Sequence, residues 1–271
     1  MNADSAAIVR HQAPLPAEAA PRPSYVPCIV IPFYRHEHAI AALVARLRPF
    51  GLRTYIVDDG SGEQSAPVLD ALERAESTWL RLLRRARNGG KGAAVRTGFE
   101  AAIADGHTHA VQIDADGQHE PADIPRLLEA SRNDPAALVT GSPRFDASIP
   151  RSRLYGRSFS NRLVCLHTLS RSIPDSMCGF RVYPLAASLD VWRTQTVGDR
   201  MDFDTEIMVR LYWRGSDVIG VPTPVRYPTD GVSHFALFRD NVRITRMHFR
   251  LFAGMLLRVP QLLRRPAPPA P

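Results

Sequence analysis

Short apolar runs alternate along this chain with stretches whose hydrophobic residues recur at helical spacing. Segments 28–32, 54–57, 80–83, 110–113 and 138–140 predict strands, and 38–49, 66–76, 92–104 and 122–132 predict helices. Strands alternating with helices make right-handed βαβ units. The expected fold is therefore α/β, a mostly parallel, doubly wound sheet flanked by helices, with ligands bound at the carboxyl ends of the strands. Polar sequence follows several of those ends: Tyr34-Arg35-His36-Glu37, Asp58-Asp59-Gly60-Ser61, the stretch from Asp114, and Gly141-Ser142-Pro143-Arg144. No internal repeat is visible.

The flanks differ from this body. Residues 1–24 are rich in Ala and Pro without any period and read as a loose leader; 261–271 form a Pro-rich tail. Between them the expected organisation is one domain over 25–233 followed by a helical extension over 234–260. With 271 residues and 45% hydrophobic content, the chain is long enough for a substantial core. Cys28, Cys165 and Cys178 are odd in number and widely spaced, which argues against a disulfide framework or a zinc site and fits a reducing, cytosolic setting. No apolar run approaches the roughly 20 residues that span a bilayer, and no signal-peptide core is present, so the expected location is in the cytoplasm or on the inner face of its membrane. A net charge of +7 favours an anionic partner, whether nucleotide, nucleic acid or acidic lipid. Nucleic acid is not expected, because no aromatic interleaving and no nucleic-acid-binding module accompanies the charge.

The stretch Gln112-Ile113-Asp114-Ala115-Asp116-Gly117-Gln118-His119 carries the most chemical information. It follows an apolar run, and in extended backbone Asp114, Asp116 and Gln118 point to one side. Such oxygen donors suit hard divalent cations, Mg²⁺ or Mn²⁺, which keep positions open for phosphate oxygens. A solvated Asp/Gly turn is the alternative. Asp58 and Asp59 end another strand in carboxylates that can accept from a ribose or a base edge, or form an unliganded turn. Asn88-Gly89-Gly90-Lys91-Gly92 opens a helix with backbone N–H groups and one ammonium, an arrangement that welcomes phosphate, although the spacing is not that of a Walker loop.

Met201-Asp202-Phe203-Asp204-Thr205-Glu206 precedes a helix whose Ile207, Met208 and Leu211 should face inward. Thr205 or Asp204 could cap it and Glu206 could pair with Arg210; equally, Asp204, Asp202 or Glu206 could be a catalytic carboxylate. Arg144, Arg151, Arg153 and Arg157 are candidate phosphate ligands. Further on, Arg239, Arg243, Arg246 and Arg250 share one face of a helix that also carries Ile244, Met247, Leu251, Phe252, Met255 and Leu256, a basic amphipathic pattern suited to an anionic membrane surface or to packing on the domain.

In combination these pieces resemble the family-two glycosyltransferases, particularly the branch of dolichyl-phosphate mannosyltransferases and polyprenyl-phosphate hexose synthases. The resemblance rests on Val30-Ile31-Pro32-Phe33-Tyr34, Val57-Asp58-Asp59-Gly60-Ser61, Asn88-Gly89-Gly90-Lys91-Gly92, Asp114-Ala115-Asp116-Gly117-Gln118-His119 and Cys178-Gly179-Phe180-Arg181-Val182-Tyr183, in that order. It implies a GT-A fold, a UDP- or GDP-hexose donor, a divalent metal and inversion at the anomeric carbon. It further implies that Pro32, Tyr34, Asp58 and Asp59 touch the nucleotide and that Asp114, Asp116 and Gln118 hold the metal and the donor diphosphate. Two departures stand out. Tyr34-Arg35-His36 replaces the usual Tyr-Asn-Glu, which leaves the nucleotide open. No carboxy-terminal transmembrane helices are evident, so any membrane contact is peripheral, through 236–258.

The expected reaction is hexose transfer to a lipid-linked acceptor, with Lys91 or nearby arginines neutralising charge on the departing diphosphate. A lipid-phosphate acceptor needs no strong base and would be gripped by Arg144, Arg153 and Arg157, whereas a hydroxyl acceptor needs Asp204, Asp202 or Glu206. The rival readings are a non-catalytic nucleotide-sugar-binding membrane partner and a nucleotidyltransferase that forms sugar nucleotides.

Overall fold

The computed structural model describes residues 24–145, 151–225 and 237–265. Residues 1–23, the stretches 146–150 and 226–236, the tail from 266 and the side chains of residues 145, 151–153 and 237 lie outside the described residues.

The five strands and four helices read from the sequence are present: β1 Pro27–Phe33, α1 Glu37–Leu47, β2 Thr54–Asp58, α2 Ala66–Ala75, β3 Leu80–Arg84, α3 Lys91–Ala104, β4 His109–Gln112, α4 Ile124–Asn133 and β5 Leu138–Phe145. The chain continues through α5 Arg151–Thr168, β6 Arg181–Pro184, α6 Leu185–Thr194, α7 Phe203–Trp213, β7 Val218–Val225, α8 Leu237–Leu256 and α9 Val259–Leu263. The sheet order is β3-β2-β1-β4-β6-β5-β7. All pairings are parallel except those of β6, which runs antiparallel to β4 and β5.

Alternation along the strands feeds two cores. On β1, Cys28 and Val30 join the layer beneath α3, α6, α7 and α8, while Ile29, Ile31 and Phe33 join the layer beneath α1 and α4. In α1 the buried residues Ile40, Leu43, Val44 and Leu47 recur at i, i+3, i+4 and i+7, each contributing about 2 kcal/mol on burial. α7 is buried along its whole length, so its inward face is not a stripe but the full circumference.

Two local expectations are corrected here. β4 stops at Gln112, and the segment from Asp114 is a turn closed by Gln118 N donating to Asp116 Oδ1 at 3.0 Å; alternation along a strand therefore does not orient these side chains. Neither Asp204 nor Thr205 caps α7, because Asp204 bonds Lys91 and Thr205 Oγ1 donates to Ser176 O at 3.2 Å.

Candidate active site

The site forms where β1, β2 and β4 end and α3 begins. Asp58 Oδ1 accepts from Ser61 N at 2.9 Å, which closes the turn after β2. Asp59 is buried and fastens the next loop: Oδ1 accepts from Gly89 N and from Arg85 Nε, each at 2.9 Å, and Oδ2 accepts from Gly90 N at 2.6 Å. The glycine loop's N–H groups at 89 and 90 are thus not free for phosphate, because a carboxylate from β2 already satisfies them. Gly90 takes φ of +103°, which an L side chain rarely adopts, and that turn delivers Lys91 inward at the first position of α3.

Lys91 Nζ lies 2.9 Å from Asp114 Oδ2 and 2.7 Å from Asp204 Oδ2. Burial opposes its charge, but the carboxylates of Asp114 and Asp204 outweigh burial and raise its pKa. Burial likewise opposes ionisation of Asp114, and Lys91 and His119 overcome it and hold its pKa well below the usual carboxylate range. Asp114 remains ionised as a result. Its Oδ1, 2.8 Å from Lys91 Nζ but outside bonding geometry, is a buried oxygen without a hydrogen-bond donor.

The reversed strand β6 supports this group from below. Its register pairs Gln112 with Arg181, so the residues just before β6 face the turn just after β4. A Cβ at Gly179 would collide with Asp114 Oδ2 and Lys91 Nζ, which explains a glycine there. Gln112 Nε2 donates to Gly179 O at 2.9 Å and to Asp204 Oδ1 at 3.2 Å. The fully buried Arg181 donates to Asp204 O at 2.5 Å, to Ser176 O at 2.9 Å and to Tyr183 Oη at 3.1 Å.

A cleft of about 1360 Å³ opens over these residues. Pro32, Tyr34, Asp59, Lys91, Asp114, Asp116, Gln118, Arg157 and Asp204 line it; Asp58, Arg144, Asp202 and Glu206 do not. Arg157 also forms a bidentate pair with Asp175, with Nη2 at 2.8 Å from Oδ1. Arg144 is exposed on β5, and the Arg153 side chain lies outside the described residues. Asp202 Oδ1 accepts from Arg200 N at 3.2 Å, and burial raises the Asp202 pKa. Glu206 is wholly buried and accepts from Gly198 N at 2.8 Å, Arg210 Nη2 at 2.6 Å and Arg250 Nη2 at 2.7 Å. The pairing of Glu206 with Arg210 is the one expected from their spacing. The sequence reading missed Arg200, which lines the cleft and donates to Asn88 Oδ1 at 2.9 Å; an isolated arginine in irregular chain gives no periodic signal.

Helices α5 and α8 add apolar side chains to the cleft wall among polar ones such as Arg157, Ser160, Asp240 and Asn241. α5 supplies Phe159, Leu163 and Leu166, and α8 supplies Ile244, Met247 and Phe252. His167 and His248 join the two helices, with Nε2 and Nδ1 3.0 Å apart. Burial lowers both pKa values, that of His167 to about 4 with help from His248, while Glu206 partly opposes the shift at His248. The folded chain therefore keeps both rings neutral, whereas the unfolded chain takes up protons below about pH 6.5. This contribution to stability is complete above pH 6.5 and is lost as pH falls toward about 4. The melting temperature is expected to drop by several degrees across that window, measured by calorimetry, and His167→Gln should flatten the dependence.

The donor set at the turn fits a hard divalent cation: the carboxylates of Asp114 and Asp116 and the amide oxygen of Gln118 border the cleft. Among the described residues no three His, Cys, Asp or Glu side chains form a closed metal cluster. A cation here would need oxygens from a ligand to complete its shell.

The sequence model of the family described as Glycosyl transferase family 2 matches residues 28–192, more than half of the chain. The chain belongs to glycosyltransferase family 2. Among relatives of this glycosyltransferase, the polyprenol monophosphomannose synthase of Mycolicibacterium smegmatis is 27% identical over 222 residues, 79% of this chain and 83% of that protein. The undecaprenyl-phosphate mannosyltransferase of Micrococcus luteus is 28% identical over 206 residues, covering 71% and 80%. The glucosyl-3-phosphoglycerate synthase of Mycobacterium tuberculosis, crystallised with Mn²⁺, UDP and phosphoglyceric acid, superposes with a TM-score of 0.63 at 14% identity, over 85% of this chain and 78% of that one. The glycosyltransferase therefore has the GT-A fold, and its relatives include the polyprenyl-phosphate branch that its motifs resemble.

Proposed function

We propose that this glycosyltransferase moves a hexose from a UDP- or GDP-hexose to a lipid phosphate of the polyprenyl type, with inversion at the anomeric carbon. The observation that carries this reading is a cleft that joins carboxylates and Lys91 to apolar side chains supplied by α5 and α8. An amphiphilic acceptor with an anionic head matches such a cleft. Mannosyl transfer named for polyprenyl phosphates in two relatives supports the same acceptor class.

Asp114, Asp116 and Gln118 are the residues that would hold Mg²⁺ or Mn²⁺, which when bound neutralises charge on the donor diphosphate. Pro32 and Tyr34 border the nucleotide side, with Asp58 and Asp59 shaping the loops beside it. Lys91 fixes Asp114 and Asp204 in place and lends positive charge to the leaving group. A phosphate oxygen of the acceptor forms its bond to the anomeric carbon from the face opposite the diphosphate, while the bond from that carbon to the diphosphate oxygen breaks. The phosphate is already anionic near neutral pH, so no protein base is needed, and Arg157, which lines the cleft, would steady it. The engagement of Asp204 Oδ2 with Lys91 supports a reaction in which Asp204 takes no proton. The enzyme would act at the cytoplasmic face of an anionic membrane; among the described residues no helix is long and apolar enough to cross one.

The test is a thermal-shift screen of UDP- and GDP-hexoses with and without Mn²⁺, followed by nucleoside diphosphate release with and without a polyprenyl phosphate. Release requiring donor, Mn²⁺ and polyprenyl phosphate is the expected result. Asp204→Asn should then retain turnover within about tenfold; a loss of about 10²–10⁴-fold with folding intact would instead assign Asp204 as base to a hydroxyl acceptor.

A further inference from the structure

The arginine stripe of α8 forms only part of its outward face, and two of its members are tied to carboxylates. Arg250 is drawn in to Glu206 and Arg243 pairs with Asp240 at 2.9 Å. Beside the arginines runs a mainly apolar stripe: Phe238 and Phe249 are 83% and 71% exposed, and with Val242, Thr245, Phe252 and Leu256 they form a repeat of alternating four- and three-residue steps. Leu257 continues the surface at 83% exposure, and on α5 Tyr155 and Phe159 are 75% and 65% exposed. So many large apolar side chains on neighbouring helices exceed the scattered exposure of an ordinary surface.

At about 100° per residue the faces of α8 follow in a definite order. Met247, Leu251 and Met255 pack inward; Asn241 and His248 look into the cleft; the apolar stripe comes next; and the arginines follow it. Thr245, Phe249 and Phe252 belong both to the stripe and to the cleft wall, so the stripe is the outer lip of the site. On its other border Arg239 and Arg246 are exposed and bond no carboxylate among the described residues.

We infer that this lip docks on an anionic lipid bilayer, with the α8 stripe and the exposed rings of α5 seated among the acyl chains. Arg239 and Arg246 sit at the headgroups along one edge, and the cleft mouth opens against the bilayer along the other. The charge of the border selects anionic lipid over a second copy of this chain, whose own lip would bring like charges together. Resting on the lipid-acceptor reading, this also specifies the route: the acceptor's head enters the cleft sideways from the bilayer plane while its tail stays in the apolar layer.

Flotation of the full chain on phosphatidylcholine vesicles, with and without phosphatidylglycerol, tests it. The native chain should float with the phosphatidylglycerol vesicles. Phe238→Ser combined with Leu256→Ser, at positions outside the cleft, should cut the bound fraction tenfold or more. Arg239→Glu combined with Arg246→Glu should weaken binding by at least about fivefold per charge and remove its dependence on anionic lipid. A native chain that stays with the soluble fraction, or a serine variant that floats as the native does, overturns the proposal. So does a native dimer that the serine variant splits without any vesicle binding. Donor-induced thermal shifts, unchanged in both variants, confirm a folded nucleotide side. If those shifts are absent from the native chain while flotation persists, the transferase reading fails and the docking surface stands.

Discussion

Asp114→Asn is expected to lower turnover by about 10²–10³-fold or more while the protein remains folded. The substitution preserves shape, removes the charge and exchanges one acceptor oxygen for an amide donor. Lys91 keeps its 2.7 Å contact to Asp204, so the buried ammonium is not stranded. What disappears is the anion that burial opposes and that Lys91 and His119 sustain. An ionised carboxylate at the edge of a cleft is placed to bind a cation as well as to hold Lys91. Donor turnover and the Mn²⁺-dependent thermal shift are the measurements. Both should fall together, and turnover within tenfold of native would remove Asp114 from the metal and diphosphate site.

Glu206→Ala is expected to destabilise the protein by about 3 kcal/mol, the lower end of the cost of breaking a buried ion pair, since Arg250 retains access to solvent. Arg210 cannot escape as readily, and its guanidinium would be left buried beside Gln195. The melting temperature should fall by about 6–12 °C. A double-mutant cycle with Arg250→Ala separates the joint between α7 and α8 from the loss within α7. Additive effects would show that Glu206 does not couple the helices.

These two carboxylates illustrate how far the sequence could be read. Asp114 was accessible because an acidic pair after an apolar run falls at a strand end whatever the details of the turn. Asp202, Asp204 and Glu206 were not separable by residue type, although geometry divides them. Residues two apart on a helix point about 200° away from each other, so Asp204 reaches the cleft while Glu206 meets Arg210 and Arg250 on the other side. The first five strands and four helices were legible because each carries either a short continuous apolar run or apolar residues at helical spacing. β6 is four residues with a buried arginine, and β7 carries a glycine and two prolines that only an edge strand tolerates; neither has a pattern that propensity can register. α5 holds Arg151, Arg153, Arg157 and Arg162 among its apolar residues, which obscures its helical stripe. The arginines of α8 had the spacing of a solvated face, but buried carboxylates on other elements recruit one of them inward, and only tertiary structure reveals that.

The joint between Glu206 and Arg250 spans 44 residues of chain. At about 5–20 residues per second, a ribosome needs roughly 2–9 s to proceed from one to the other. During that interval Glu206 has Gly198 N and Arg210 as its partners but not Arg250, and the nascent protein offers chaperones an unlatched helix until α8 arrives to close it.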